Sequence, residues 1–180
     1  MEAFEIGEIN SMSKIQFFEL IREVKDFPQK GILFRDVSPL LKNPKALQHI
    51  CDCFAENHDL SKIEYFAGIE SRGFIFASLL AAKFDKGIVL LRKAGKLPPP
   101  VLQESYKLEY GSATLEIAQG SGAIFIVDDV LATGGTLEAA IRLCKKAGYE
   151  VTEVGVLINL TSLNKVKFKG NEIFSVYQYE

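Results

Sequence analysis

The 180-residue sequence has few cysteines, no long apolar run and no excess of one charge. Its three cysteines make no even-numbered framework, and Cys51 and Cys53 stand in C-x-C rather than C-x-x-C spacing. A disulfide scaffold and a zinc-finger pattern are thereby excluded, and a reducing, cytoplasmic location is expected. No apolar stretch approaches the roughly 18 residues of a membrane span, and the acidic start MEAFEIGEINSMSK lacks the cationic leader of an exported chain. The formal net charge is -2 with both signs interspersed, so there is no basic footprint for a nucleic acid. Neither a membrane nor a nucleic-acid partner is expected. His49, Cys51, Cys53 and His58 fall on one predicted helix. Residues two apart on a helix point in different directions, so packing rather than metal binding is expected of these four.

What is present has the length of one domain spanning residues 1–180. Ser13 and Gln16 have capping-box spacing, and Ile15, Phe18, Ile21 and Val24 recur at helical intervals up to the Phe27-Pro28 break. The first dozen residues read as an arm. Asn43-Pro44 starts a second helix whose apolar face is Leu47, Ile50, Cys51 and Phe54. Beyond it the short apolar runs YFAGI, GIVLL, AIFIVDD and TEVGVLINL alternate with the helical patterns FIFASLLAAKF and LEAAIRLCKKAG. That alternation is the sequence form of a parallel sheet buried on both faces, and the predicted class is α/β. The segment RKAGKLPPPVLQESYKLEYGSATLEI interrupts it, ending in two hairpin-like stretches around Glu109-Tyr110-Gly111-Ser112.

The stretch IVDDVLATGGTLEA carries the most chemistry. An apolar strand over Ala123–Val127 puts Asp128 and Asp129 at its carboxyl end, where ligands of open α/β sheets gather. Ala132, Thr133, Gly134, Gly135 and Thr136 follow. Two glycines allow positive φ, and successive N–H groups point into one concavity in front of a helix predicted from near Thr136. Such a nest takes an anion, and phosphate fits. Paired carboxylates repel that phosphate but suit ribose hydroxyls. The alternative is an ordinary strand-to-helix turn with solvated acids; the apolar strand and paired acids in front favour a ribose-phosphate cradle.

VDDVLATGGT resembles the phosphoribosyl-pyrophosphate (PRPP) motif of the type I phosphoribosyltransferases. DFPQKGILFRDVSPLL, AGIESRGFIF, RKAGKLP, SYKLEYG and LTSL, in that order, look like the adenine phosphoribosyltransferase family, and the likeness extends from about Phe17 onward. It implies a central, mainly parallel sheet flanked by helices, a small hood over about residues 27–40 with the C-terminal segment, and a flexible lid over about 93–112. It also implies transfer of phosphoribose from PRPP to adenine, giving AMP and pyrophosphate, with Mg²⁺ held mainly through PRPP and water, and a homodimer. By the resemblance, Ala132 to Thr136 hold the 5′-phosphate, and Asp128 and Asp129 the ribose hydroxyls. Pyrophosphate would lie at Glu70-Ser71-Arg72-Gly73, in a loop with a cis non-proline peptide, with Arg72 taking its charge. Arg92, Lys93 and Lys96 would reach it from the lid, partly from the neighbouring subunit. Leu33, Phe34, Arg35 and Leu160 would bind adenine, with Leu33 and Leu160 sandwiching it. Glu109 would be the acid-base carboxylate and Tyr110 the adjacent lid tyrosine. On the residues alone, SRG reads as a surface arginine, Leu33 and Leu160 as core, and Glu109 as an exposed hairpin charge. Pro98 to Pro100 stiffen the lid and bear on its closing rather than on the chemistry. A 6-oxopurine transferase and a PRPP-sensing regulator are the rival readings.

Overall fold

The computed structural model describes residues 17–108 and 111–180. The chain divides between Cys53 and Phe54 into two compact units.

In the first unit, β1 (Arg22–Lys25) and β2 (Leu33–Asp36) form an antiparallel hairpin. Its turn is closed by Gly31 N donating to Asp26 Oδ1 at 2.7 Å and Phe27 N donating to Ile32 O at 3.3 Å. The helix expected up to Val24 is corrected: helical residues end at Phe18, and Arg22–Lys25 is extended. The three-residue spacing of Phe18, Ile21 and Val24 mimics a helix, but cross-strand pairing wins over it. Arg22 sits opposite Asp36 and donates to its Oδ2 through Nε at 3.1 Å and Nη2 at 2.8 Å, while Glu23 sits opposite Arg35 and pairs with it. Ser13, Ile15 and Gln16 lie outside the described residues. A single turn, α1 (Ser38–Leu41), follows, with Ser38 N bonded to Asp36 Oδ1 at 2.9 Å. α2 (Pro44–Asn57) starts where predicted, because Asn43 Oδ1 accepts from Lys45 N at 3.0 Å and Ala46 N at 3.2 Å and Pro44 needs no partner at the first helical position.

The second unit is a seven-stranded sheet. Its strands are β3 (Tyr65–Ile69), β4 (Gly87–Lys93), β5 (Val101–Leu108), β6 (Gly111–Ala118), β7 (Gly122–Leu131), β8 (Tyr149–Leu160) and β11 (Phe174–Tyr179), in the order β11-β8-β7-β3-β4-β6-β5. Pairings from β11 to β4 are parallel, and β6 and β5 add antiparallel at one edge. β9 (Lys167–Phe168) and β10 (Asn171–Glu172) make a small hairpin before β11. The α/β class and mainly parallel sheet expected from the alternating runs are found, while β11 is an addition the sequence reading lacked. The predicted lid segment is largely strand, with Val101–Leu108 paired to Gly111–Ala118.

Helices α3 (Gly73–Lys83) and α4 (Gly135–Lys146) cross between parallel strands. Leu137, Ala140, Leu143 and Cys144 of α4 are buried with Leu91, Leu115, Ile117, Ile124, Ile126, Val154 and Val156 of the sheet. Burial pushes the Cys144 thiol up to about 12, so it is an inert core group. Phe54, Phe66, Phe125 and Phe174 pack together with ring centroids 5.1 to 5.5 Å apart in adjoining pairs.

Candidate active site

β7 is longer than its apolar run suggests. It continues through both acids to Leu131, because Val130 and Leu131 keep register with Ile158 and Asn159 of β8. Asp128 and Asp129 therefore project from a paired strand, which fixes their backbone. Gly134 then adopts φ +93°, where an L side chain is strained, and a Cβ on it would also meet Val166 Cγ2. Gly135 is the first helical residue of α4 and carries no positive φ, so one glycine of the pair supplies the turn. No side chain caps α4. Its first-turn amides at Gly135, Thr136 and Leu137 lack intrahelical partners and, with the positive end of the helix dipole, make an anion site. Beside it an open hollow of about 510 Å³ is lined by Tyr106, Lys107, Gly135 and Arg142 among others.

Asp129 is buried and Asp128 half-buried. Asp128 Oδ1 accepts from Asp129 N at 2.9 Å. Burial first, and then the Asp129 charge, push the Asp128 carboxyl well above its usual value. Burial also raises Asp129, against the Arg72 guanidinium, whose Nε lies 2.5 Å from Asp129 Oδ2. Arg72 stands at the start of α3, so the Glu70-Ser71-Arg72-Gly73 loop meets the PRPP-like motif here. Gly73 makes that approach possible: a Cβ on it would lie 2.8 Å from Asp128 Oδ1 and 2.9 Å from Val127 O. The Glu70-Ser71 peptide is cis, and Ser71 is exposed.

Arg92 is held at Glu70, with Nε 3.1 Å from Oε2, and its Nη1 donates to Lys96 O at 3.1 Å. Lys93 N also donates to Glu70 Oε2, at 3.0 Å. Burial alone would raise the Glu70 carboxyl, but the bonds from Arg92 and Lys93 outweigh it and hold it below its usual value. Lys93 and Lys96 are exposed. Glu109 and Tyr110 lie outside the described residues. In the first unit, Leu33 is 40% exposed, Phe34 packs edge-on to Phe27 at 5.1 Å, and Arg35 pairs with Glu23. In the second, Leu160 ends β8. Each of these four is thus placed within its own unit. Among the described residues, no group of three or more His, Cys, Asp or Glu side chains is placed to hold a metal ion.

A family model described as "Phosphoribosyl transferase domain" matches residues 36–175. An adenine phosphoribosyltransferase of Bdellovibrio bacteriovorus is 56% identical over 89% of this chain and 97% of its own length. The chain belongs to the adenine phosphoribosyltransferase family. The crystal structure of a family member from Rhodothermus marinus covers 94% of this chain and 99% of its own at 39% identity, with a TM-score of 0.84. One from Saccharomyces cerevisiae, complexed with an imino-altritol bisphosphate and adenine, covers 92% and 99% at 32% identity, with a TM-score of 0.81.

One further buried carboxylate lies near the site without a motif to mark it. Glu116 of β6 is 1% exposed, and its carboxylate accepts from Gly95 N at 2.9 Å, Lys96 N at 2.6 Å, Leu97 N at 2.6 Å and Gln103 Nε2 at 3.3 Å. These bonds, the Gly95 and Leu97 amides foremost, lower its carboxyl to about 2. A glutamate inside the run LEIA is its only trace in the sequence.

Proposed function

We infer that the chain transfers the 5-phosphoribosyl group from PRPP to adenine, giving AMP and pyrophosphate. The observation that carries this is the end of β7: two adjacent carboxylates on a paired strand, then Gly134 at φ +93° leading into uncapped amides of α4. The amides and helix dipole suit the 5′-phosphate. A ribose hydroxyl both donates and accepts, so Asp128 and Asp129 can serve it whether protonated or ionised. Support for the base comes from the yeast family member, which was crystallised with adenine.

In the reaction, the C1′–O bond to pyrophosphate breaks as the bond from adenine N9 to C1′ forms, and the N9 proton leaves. Glu109 is proposed to take that proton. Negative charge carried by the Asp128–Asp129 pair when ionised would favour cationic character at C1′. Arg72, Ser71, Lys93 and Lys96 would bind the departing pyrophosphate, and lid closure over about 93–112 would exclude water that could intercept the sugar. Leu33, Phe34 and Arg35 of the hood, with Leu160, are proposed to hold adenine. Mg²⁺ fits the acidic end of β7 only as an ion carried by PRPP and water, in keeping with its reluctance to dehydrate. When bound, it would neutralise charge developing on the pyrophosphate.

A cytoplasmic homodimer completes the proposal. Helix α3 reads GFIFASLLAAK, apolar almost all round, yet Ile75 on it is 42% exposed, with Ile88 (40%) and Leu90 (37%) exposed on neighbouring β4. A helix of that kind is normally covered on every side, and a second copy is the proposed cover. Sizing at several concentrations tests this, and a monomer throughout would refute it.

Incubation with PRPP, Mg²⁺ and adenine, hypoxanthine or guanine tests the activity. AMP formation with a strong preference for adenine is expected. A preference for either oxopurine would overturn the base assignment. PRPP binding without any nucleotide formed would point to a PRPP-sensing regulator.

A further inference from the structure

Arg92 and Lys93 at the end of β4 and Lys96 in the turn after it crowd three positive charges together, next to Glu70 of the pyrophosphate-loop segment. Like charges so close repel, and backbone amides exposed on a turn would ordinarily be left to water. Two carboxylates, the half-buried Glu70 and the buried Glu116, stand behind this turn instead. Glu70 takes Arg92 and the Lys93 amide, and Glu116 takes the consecutive amides of Gly95, Lys96 and Leu97. Gly95 at φ +82° curls those amides toward one point, the geometry of an anion nest, and the anion in it is the protein's own Glu116. Ala94 N donates to Thr114 O at 3.0 Å, and Arg92 pairs with Glu116 across the sheet, so the anchor sits on rigid strand. Both lysines are left exposed, and the Lys93 amide is bonded to Glu70, the residue before Ser71 and Arg72.

We propose that Glu116 is a positioning residue for pyrophosphate recognition: by filling the amide nest of Gly95–Leu97 it fixes the turn that presents Lys93 and Lys96. This rests on the proposed phosphoribosyl transfer. Electrostatics and positioning predict opposite signs here. Glu116→Gln removes a negative charge near the lysines, which by charge alone strengthens PRPP binding. As an anchor, the amide keeps one acceptor oxygen where the carboxylate had two, so the turn loosens and PRPP binding weakens.

The test measures KM for PRPP and for adenine, and PRPP affinity by calorimetry, in wild type, Glu116→Gln, Gly95→Ala and Lys93→Ala/Lys96→Ala, and in the last combined with Glu116→Gln. Gly95→Ala is the second route to the same turn, since a Cβ there meets nothing within 4 Å and only the backbone preference changes. Expected are a roughly tenfold rise in the PRPP KM for Glu116→Gln and for Gly95→Ala, an unchanged adenine KM, and no further rise when Glu116→Gln is added to the double lysine variant. Tighter PRPP binding, unchanged binding in both single variants, or an equal loss in the lysine-free background would overturn the proposal. If wild type makes no AMP, the transferase reading falls, and the calorimetric series still decides the role of Glu116.

Discussion

Arg72 Nε lies 2.5 Å from Asp129 Oδ2, joining the start of α3 to the end of β7. Asp129 is buried, and that guanidinium opposes the rise that burial causes in its carboxyl. Arg72→Ala should leave a buried charge without its cation, raise the Asp129 carboxyl further, and destabilise the fold by about 1–3 kcal/mol, less than a fully buried pair because Arg72 is a third exposed. Urea unfolding at neutral pH reads the stability, and a weaker PRPP affinity in calorimetry should accompany it. A variant as stable as wild type with undiminished PRPP binding would refute the coupling.

Gly134 carries two constraints that separate by mutation. Gly134→Ala should fail both because φ is +93° and because its Cβ meets Val166. Adding Val166→Ala removes the collision but not the backbone strain, so thermal stability should recover only in part and PRPP affinity should stay low. Full recovery would show that the amide cradle does not depend on the left-handed turn.

Glu109→Gln should lower kcat by roughly a hundredfold, with PRPP affinity little changed, if its carboxylate takes the N9 proton. Unchanged turnover would remove it from the chemistry.

His58 supplies a pH dependence away from the site. Its ring packs edge-on against Phe125 and Phe174 at 4.7 and 4.8 Å, and Nδ1 lies 3.2 Å from Glu153 Oε2. Burial lowers its pKa below the ordinary 6.5, outweighing Glu153. The unfolded chain then takes up a proton that the fold resists, so stability is retained above about pH 6.5 and lost as pH falls below it, by at most about 1.4 kcal/mol per pH unit. His58→Gln should flatten the difference in urea midpoint between pH 7.5 and 5.5. An identical pH slope in wild type and variant would contradict this.

The end of β7 was legible because its pattern is local: an apolar strand, two acids and a glycine-bearing turn are contiguous in sequence. The parallel strands themselves were legible from continuous apolar runs for the same reason, but their order in the sheet was not, because it is set by pairing between distant segments. Arg22–Lys25 was misread because helical spacing over three apolar residues cannot reveal a partner strand a turn away. Glu116 stayed hidden because its meaning comes from amides some twenty residues back in the chain, and a lone glutamate in a strand gives no sign of them. The strand past Asp129 was cut short because charged residues look like an end until the register with β8 is known.

A crystal structure with AMP bound tests the central claim most directly. The phosphate should lie within hydrogen-bond distance of the amides from Thr133 to Thr136, with Asp128 and Asp129 on the ribose hydroxyls. A phosphate seated elsewhere, or both aspartates turned away from the sugar, would contradict it.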